Sequence, residues 1–371
     1  MKNRALRAFS ACSLLFGQLD AIDELADPME FHQGEMEELV EMPAEPVYDP
    51  LLLDLEKLAQ DFVLETKRIQ IPGYPGAFNP SVVRYGDAIL MCFRIRDSRT
   101  GTVNKIGLVY LDENLDPIGN VKVLEIRANP LQRKCEQDPR LIKVGGRFYV
   151  VYSNFMGGVE SDVRRVFVSE LRCDGDRFYL ENPECLSCFE GERKERWEKN
   201  WSPFDYHGDV HLAYSVVPHR ILRPIGGGMC ETAALTKSSI RWDWGVLRGG
   251  TPALEHDGEY LTFFHSCKDM TTANSQGKHL IHYFMGAYTF SLEPPFHIKK
   301  FSRKPIFAKG FYSPPYYKTW KPLRVVFPGG FIFDSRHIWV FYGRQDHEIC
   351  VVKLDKDLFM KSLVPVPAPQ P

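Results

Sequence analysis

Four polar side chains stand immediately before a proline, at matching places in a pattern that recurs along the chain. They are Asn79, Asp138, Ser202 and Thr251. Proline fixes its own φ and biases the preceding residue toward extended backbone, so the pattern predicts four extended residues at equivalent positions. Side chains at equivalent positions of repeated units would converge on one place. The sequence therefore predicts a shared polar site, with Asp138 as its best placed carboxylate.

Basic side chains stand near the prolines and at the ends of the same repeated units. Arg94 ends one repeated unit, Lys199 and Arg248 precede two of the prolines, and His265 ends another unit. Inverting hydrolysis of a glycosidic bond needs two carboxylates, one as acid and one as base. With phosphate as attacking group, one acid and a cationic cradle suffice, because Arg, Lys and His neutralise and orient phosphate. The residue types are thus compatible with a phosphate-dependent reaction.

The elements that carry these residues repeat five times. Each copy has a polar residue, a proline, a short apolar stretch, a Gly/Asp turn and an apolar run; the fifth has Phe327 before its proline. Strand–turn–strand units at intervals of 49 to 76 residues are typical of propeller blades. We therefore predict an all-β, five-bladed β-propeller. The copies read FNPSVVRYGDAILMCFRIRD, QDPRLIKVGGRFYVVYSNF, WSPFDYHGDVHLAYSVVPHR, GTPALEHDGEYLTFFHS and VFPGGFIFDSRHIWVFYGRQD.

Three regions are predicted along the 371 residues. Residues 1–66 form a short, acidic, helical N-terminal extension, because MEELVEM and DPLLLDLEKLAQDF space apolar residues three and four apart. Residues 67–358 form the propeller. Residues 359–371 form a proline-rich tail, whose VPVPAPQP should not pair with a sheet. At the start, residues 1–21 have two open interpretations, a short signal peptide or an amphipathic helix.

Composition narrows the partners and the compartment. The net charge of −2 conceals a −14 segment between Asp20 and Glu65 and a basic remainder, which suits an anionic ligand. No basic run with interleaved aromatics suggests nucleic acid, and no segment is long enough to span a membrane. Nine cysteines without zinc-ligand spacing favour reduced thiols and predict no metal. We prefer a cytoplasmic location over a secreted one and leave homo-oligomerisation open.

At this point the motifs resemble a known family. The elements FNPS, QDPR, EKNWSPF, GGTP with FFHS, and VVFPGG with FYGRQD cover roughly residues 70–355. Together they are similar to glycoside hydrolase family 130, the mannoside phosphorylases and β-mannosidases on a five-bladed propeller. The resemblance implies an inverting glycoside phosphorylase that acts on a β-mannoside in an oligosaccharide and forms mannose 1-phosphate. Inorganic phosphate would be its co-substrate, with no other cofactor.

The resemblance also implies roles for individual residues. Asp138 would be the catalytic acid, which protonates the leaving sugar directly or through a hydroxyl of the bound mannose. The substrate-binding set would be Asn79, Arg94, Asp97, Thr251 and Asp346. The phosphate-binding set would be Lys199, Asn200, Arg248 and His265. Of Arg94 and Arg96 we expect only one to point into the site, because neighbours on a strand face opposite sides.

Departures from the family pattern leave alternatives open. This chain has Gln137 where the family has Glu, and YGRQDHE in its last element, where Arg344 could narrow the pocket or bind an anionic aglycone. One alternative is an inverting β-mannosidase in which an acid such as Glu231 or Asp269 activates water. Another is a non-catalytic glycan-binding propeller. Cleavage without phosphate would favour the first, and function that survives loss of the Asp138 carboxyl would favour the second.

Overall fold

The fold is described from a computed structural model of the chain. The structure describes residues 41–42, 51–96, 104–127, 135–156, 163–192, 197–317 and 323–367. The signal-like start at residues 1–21, most of the acidic extension and Asp97 lie outside these residues. Among the described residues no helix is long and apolar enough to cross a membrane.

Short strands make up nearly all of the regular structure. The first thirteen are β1 Glu41–Met42, β2 Val63–Ile69, β3 Phe78–Tyr85, β4 Ala88–Arg96, β5 Asn104–Leu111, β6 Pro117–Val123, β7 Glu125–Ile126, β8 Gln137–Val144, β9 Arg147–Phe155, β10 Arg164–Asp174, β11 Arg177–Leu186, β12 Ser202–Tyr206 and β13 Asp209–Ser215. The others are β14 His219–Gly226, β15 Met229–Thr236, β16 Val246–Gly249, β17 Leu254–His256, β18 Glu259–Thr271, β19 His279–Ser291, β20 Ile298–Ser302, β21 Tyr316–Tyr317, β22 Leu323–Arg324, β23 Val326–Phe333, β24 His337–Arg344, β25 Glu348–Asp355 and β26 Leu363–Pro365. Within the described ranges the helices are the α-helix α1, Lys356–Ser362, and the 3-10 turns Leu55–Leu58 and Ala273–Ser275.

Each copy of the sequence repeat lies in its own sheet. The first sheet has the order β3-β4-β5-β6, and the second has β8-β9-β10-β11 followed by β7. The third is β12-β13-β14-β15, and the fourth is β16-β18-β19-β20-β26, with β17 and β22 at its sides. The fifth is β23-β24-β25-β2, and β1 pairs separately with β21. Gly- or Asp-containing turns join the pairs β3–β4, β8–β9, β12–β13, β17–β18 and β23–β24, as the repeat predicted.

Neighbouring sheets contact one another in a closed circuit. β3 contacts β8, β8 contacts β12, β13 contacts β16, β18 contacts β23, and β23 contacts β3. The fifth sheet takes β2 from the start of the described chain and β23–β25 from its end, so sequence-distant strands close the circuit. The predicted all-β fold with a propeller-like arrangement of sheets is confirmed.

The apolar core lies in layers between adjacent sheets. Leu90 of the first sheet packs in one buried cluster with Leu141 of the second. Phe204 of the third sheet packs in another with Phe290 of the fourth. Burial of apolar surface in these layers is the main favourable contribution to folding. The layers leave the inner ends of the strands free to carry polar side chains.

The N-terminal helix predicted from DPLLLDLEKLAQDF does not form over its described residues. The structure has only the 3-10 turn Leu55–Leu58 and then β2. Leu55 is fully buried, but Leu51 is 91% exposed, so the helical spacing buries no continuous face. Asp54 caps the turn, and the Leu55 N–H donates to Asn274 Oδ1. A tertiary anchor at one leucine therefore replaces the amphipathic helix.

The prediction that the tail cannot pair with a sheet is also wrong for its first residues. Asp355 caps α1, and β26 then pairs with β20 through Leu363–Ser302 and Pro365–Lys300. Pro365 fits because β26 is an edge strand, where a missing N–H costs no ladder hydrogen bond.

Candidate functional site

Two of the residues before prolines lie on β-bulges. In the β3–β4 ladder the register shifts between Phe78 and Ser81, and in the β8–β9 ladder it shifts between Gln137 and Arg140. Asn79 has φ +50° and Asp138 has φ +53°, so the prediction of extended backbone is wrong at both. Asn and Asp tolerate this left-handed region better than other residues with a Cβ. Bulges are known to re-aim side chains.

The bulges bring Asn79, Arg94 and Asp138 together. Asn79 Nδ2 donates to Asp138 Oδ1 at 2.7 Å, and Arg94 Nη1 donates to the same oxygen at 3.2 Å. The side chains of Arg94 and Asp138 are each 12% exposed. Both hydrogen bonds go to Oδ1, and neither goes to Oδ2. The carboxylate is thus oriented by its neighbours while part of it faces solvent.

Opposing effects act on the Asp138 carboxyl. Burial raises its pKa, but Arg94, Arg140 and Lys199 and the Asn79 hydrogen bond lower it, and the resulting pKa is about 2. Opposite charges and hydrogen bonds to the ionised form outweigh desolvation here. Asp138 is therefore ionised at neutral pH in the free protein.

Asp346 is a second carboxyl near the same cations. It follows β24 in the turn before β25, with φ +53°. Burial raises its pKa and Asp138 raises it further, whereas Arg94 and Arg96 oppose this. The two aspartates therefore have pKa values shifted in opposite directions. Such a separation is typical of carboxyl pairs in which one group holds a charge and the other tends to hold a proton.

Arg94 and Arg96 both face this site, so the prediction that only one would do so is wrong. Their Cζ atoms lie 4.8 Å and 5.2 Å from the Phe78 ring centroid. The two residues are separated by two positions, and side chains at that spacing share a face of a strand. Arg96 acts on both Asp346 and Asp138 through its charge. It is a site residue that the sequence reasoning missed.

Arg140 is a second missed residue, and it joins several sheets. Its Nε donates to the Gly250 carbonyl, its Nη1 to the Asp138 carbonyl, and its Nη2 to Asn200 Oδ1. It is 2% exposed, and its Cζ lies 5.1 Å from the Phe327 ring centroid. Arg140 therefore fixes the backbone at Asp138 rather than its carboxylate. Its place directly after the proline in QDPR was the available signal.

The predicted phosphate-binding residues meet where the third and fourth sheets approach. Asn200 has φ +65°, and its carbonyl lies so close to Gly249 that a Cβ at Gly249 would collide with it. Arg248 lies opposite His265 in the β16–β18 register. The charge of Lys199 acts on Asp138, Asp346 and His265. Glycine in GGTP thus allows the close approach that assembles this group.

His265 belongs to this group as a neutral imidazole. Burial lowers its pKa well below the usual value, and Arg248, Arg140 and Lys199 lower it further. Its Nδ1 lies 2.8 Å from the Gly249 carbonyl oxygen, so Nδ1 carries the proton and donates it in that hydrogen bond. Nε2 is then an acceptor. His265 therefore adds no positive charge, and its Nε2 has a lone pair that can accept a hydrogen bond.

Other predicted residues are not brought into this arrangement. Thr251 is fully buried, and its hydroxyl bonds with Thr262, the Pro252 carbonyl and the Phe263 N–H. Arg344 is buried. It pairs with Glu348 and donates a hydrogen bond to the Ser313 carbonyl, so its guanidinium binds these neighbours rather than Asp138. Asp97 lies outside the described residues.

The two carboxylates considered for water activation lie elsewhere. Glu231 is on the outermost strand of the third sheet, exposed and paired with Arg223 at 2.7 Å. Asp269 is exposed near the far end of β18. Neither is buried beside Asp138, so the structure gives neither a geometry for activating water there.

Solved structures match this chain in fold. A glycosyl hydrolase from Bacteroides ovatus has a TM-score of 0.56 at 14% identity, covering 83% of this chain and 94% of that one. A mannose phosphorylase from Leishmania mexicana, MPT-4, in complex with a phosphate ion has a TM-score of 0.54 at 14% identity, covering 85% and 95%. No protein-family profile and no curated protein matches the sequence.

A third structure comes from the glycoside hydrolase family 130 of mannoside phosphorylases, which contains hydrolases that target β-1,2 mannosidic linkages in Candida mannan. It has a TM-score of 0.56 at 14% identity, covering 92% of this chain and 98% of that one. The resemblance predicted from the motifs is therefore confirmed for the fold.

Proposed function

We propose that this chain is an inverting glycoside phosphorylase that cleaves β-mannosides with inorganic phosphate and releases mannose 1-phosphate. One observation carries the proposal: Asn79, Arg94 and the charge of Lys199 all act on the ionised Asp138 carboxylate, which links a group that we assign to the sugar with a group that we assign to phosphate. The sugar-side group is Asn79, Arg94, Arg96 and Asp346. The cationic group is Lys199, Arg248 and Arg140 with neutral His265. This division supports two ligands, one neutral and rich in hydroxyls, the other anionic.

We also propose that the five larger sheets are the blades of a five-bladed propeller, with this site at the inner ends of their first strands. The closed circuit of sheet contacts and the one copy of the repeat in each sheet support it. β2 would then close the last blade.

In the proposed reaction, phosphate attacks the anomeric carbon as the bond to the leaving sugar breaks. Asn79, Arg94 and Asp346 would hold the mannosyl unit, and Lys199 and Arg248 would orient phosphate on the opposite face. Binding both reactants in line supplies much of the rate enhancement, because it removes the entropic cost of their encounter. The cations also offset the negative charge that moves toward the sugar during attack.

Proton transfer needs Asp138 to be protonated when the leaving oxygen departs. Its pKa of about 2 reflects the neighbouring cations and Asn79 acting against burial. A phosphate dianion bound at Lys199 would neutralise part of that field and add negative charge, so the Asp138 pKa would rise on binding. Asp138 would then give a proton to the leaving oxygen, directly or through a mannose hydroxyl.

The protons balance if hydrogen phosphate is the attacking species. HPO₄²⁻ becomes the mannose 1-phosphate dianion, so its proton accounts for the one that the leaving sugar gains. The Nε2 lone pair of His265 suits this species, because it accepts a hydrogen bond from a P–OH group. In the reverse direction the ionised Asp138 would act as the base that accepts the acceptor sugar's proton.

The test runs the reaction in reverse with mannose 1-phosphate and a panel of neutral sugar acceptors, and measures released phosphate. We expect release with at least one acceptor, and loss of most turnover in Asp138→Asn. Asp269→Asn and Glu231→Gln are matched controls, since both remove an exposed carboxylate, and both should keep wild-type rates. If no acceptor in a broad panel leads to phosphate release, the proposal is contradicted. A glycan-binding protein would instead bind equally well with Asp138→Asn, and a hydrolase would cleave mannosides at an undiminished rate in phosphate-free buffer.

A further inference from the structure

A buried cysteine lies behind the site as a hydrogen-bond acceptor. Cys135 Sγ receives a hydrogen bond from Asn104 Nδ2 at 3.2 Å and another from Gln137 Nε2 at 3.3 Å. The three residues are 2%, 4% and 7% exposed, and the backbones of Asn104 and Cys135 form an isolated parallel bridge. The sulfur accepts from both amides, and Arg164 also forms a side-chain hydrogen bond with it.

The Arg94 Nε–H fixes which way the Asn104 amide faces, and the Cys135 sulfur then accepts from the amide nitrogen. Arg94 Nε donates to Asn104 Oδ1 at 2.8 Å, so the oxygen must face Arg94 and the nitrogen must face Cys135. If the amide turned over, its N–H groups would meet the Arg94 Nε–H, and two donors would oppose each other. A buried donor without an acceptor is unfavourable, which favours the observed orientation.

Arg94 is consequently fixed on three sides. Its Nε is held by Asn104, its Nη1 contacts Asp138 Oδ1, and its Cζ lies 4.8 Å from the Phe78 ring centroid. A planar guanidinium held at two edges and one face has little freedom to turn. The chain of contacts therefore runs without a gap from the Cys135 sulfur to the Asp138 carboxylate.

We propose that Cys135 and Asn104 are positioning residues that hold Arg94 against Asp138 and so control when Asp138 takes up a proton. The proposal deepens the phosphorylase function proposed above and, for its effect on turnover, rests on it. Neither residue touches the reacting atoms. Gln137 stands where the family that the motifs resemble has Glu. Its amide then has a structural role, because it is the second donor to the Cys135 sulfur.

The sign of the effect follows from the charges around Asp138. Burial raises its pKa, and Arg94 heads the influences that lower it. If Arg94 loosens, the pKa of Asp138 rises, and the proton is taken up at higher pH. The other charged groups that act in this cluster, from every neighbouring element, are Arg96 on β4, Arg140 on β8, Arg164 at the start of β10, Lys199 before β12 and Asp346 after β24.

The experiment compares Cys135→Ala with Cys135→Ser. Alanine removes the acceptor, whereas serine keeps an oxygen acceptor on a shorter bond. The main readout is the ¹³C shift of the Asp138 carboxyl in labelled protein, assigned by comparison with Asp138→Asn, from pH 7 down to the limit of folding. We expect the onset of protonation to move up by about one pH unit in Cys135→Ala, because a close opposite charge is worth one to three units. Cys135→Ser should restore most of the wild-type profile.

A second readout is the pH profile of kcat/KM in the synthetic direction, in which the ionised Asp138 would act as the base. We expect the acid limb of Cys135→Ala to shift the same way, with a fall of about tenfold at the optimum from misplaced Arg94. Cys230→Ala removes another buried thiol and is the control for lost packing; it should change neither readout. Asn104→Ala should repeat the shift, and it keeps the proposal testable if Cys135→Ala does not fold.

An unchanged Asp138 titration in folded Cys135→Ala or Asn104→Ala would overturn the proposal. The carboxyl titration needs no turnover, so its outcome is separate from that of the phosphorylase assay. A shifted titration in a protein that cleaves no mannoside would retain the positioning role and remove the proposed function.

Discussion

Gly343 is the position where the smallest change should disturb the proposed site most selectively. It lies in β24 opposite Phe327, and a Cβ added there would lie well under 3.0 Å from Asn79 Oδ1, closer than Cβ contacts occur. The Asn79 amide would have to move by on the order of 1 Å. Its Nδ2 would then lose the 2.7 Å hydrogen bond to Asp138. Gly343→Ala therefore acts on the carboxylate through Asn79.

The size of the effect follows from the bond that is lost. A hydrogen bond to a charged group contributes about 1.5–3 kcal/mol. At about 1.4 kcal/mol per tenfold, kcat/KM should fall between about tenfold and about a hundredfold. The assay is initial rates of mannoside phosphorolysis. Gly76→Ala is the matched control, because its Cβ would meet only His347 at 3.8 Å, and it should keep the wild-type rate.

A double-mutant cycle separates this reasoning from general damage. Asn79→Ala removes both the hydrogen bond and the colliding amide, so adding Gly343→Ala to it should cost little more. Contacting residues of this kind are strongly non-additive. If the two effects on kcat/KM simply multiply, or if Gly343→Ala alone is as active as wild type, the proposed link from Gly343 through Asn79 to Asp138 is wrong.

Three further predictions test individual residues. Because the Asp138 pKa is lowered from 3.8 to about 2, its ionisation stabilises the fold above pH 4, and this contribution of about 2 kcal/mol should be lost as the pH falls toward 2; urea unfolding across that range should show the loss in wild type and not in Asp138→Asn. Thr251→Val should leave the KM for the sugar unchanged and lower the free energy of unfolding by about 1–3 kcal/mol, because its hydroxyl bonds only within its own sheet; a raised sugar KM at unchanged stability would restore it as a ligand contact. His265→Leu should raise the KM for phosphate by about tenfold and leave the sugar KM unaltered, and equal effects on both would contradict its assignment to the phosphate side.

The sequence predicted the fold more completely than it predicted the details of the site. Turn residues and alternating strands are local signals, so the repeats predicted the sheets and placed Asn79, Arg94 and Asp138 together. The residue before a proline is extended on average, but bulges at Asn79 and Asp138 override that preference with left-handed backbone. Thr251 precedes a proline that lies between strands, and its side chain turns into the sheet. No periodicity distinguishes these cases in advance.

The remaining differences have tertiary causes. The apolar spacing of Leu51, Leu55 and Leu58 fits a helix, yet only Leu55 is buried, so packing never stabilises one. Arg140 resembles a surface cation in sequence, and its role depends on Gly250 and Asn200, which lie 110 and 60 residues away along the chain. Sequence patterns report neighbours along the chain and along a strand, and of the three partners of Arg140 only Asp138 is such a neighbour.

The measurement that tests the central claim most directly is ³¹P NMR of the protein with a β-mannobiose and inorganic phosphate. The proposed mechanism predicts growth of the α-anomer of mannose 1-phosphate, because attack by phosphate inverts the β-linkage. Growth should require phosphate, match the free sugar released, and fall by most of its rate in Asp138→Asn. Free mannose formed at the same rate without phosphate, or mannose 1-phosphate of the β configuration, would contradict it.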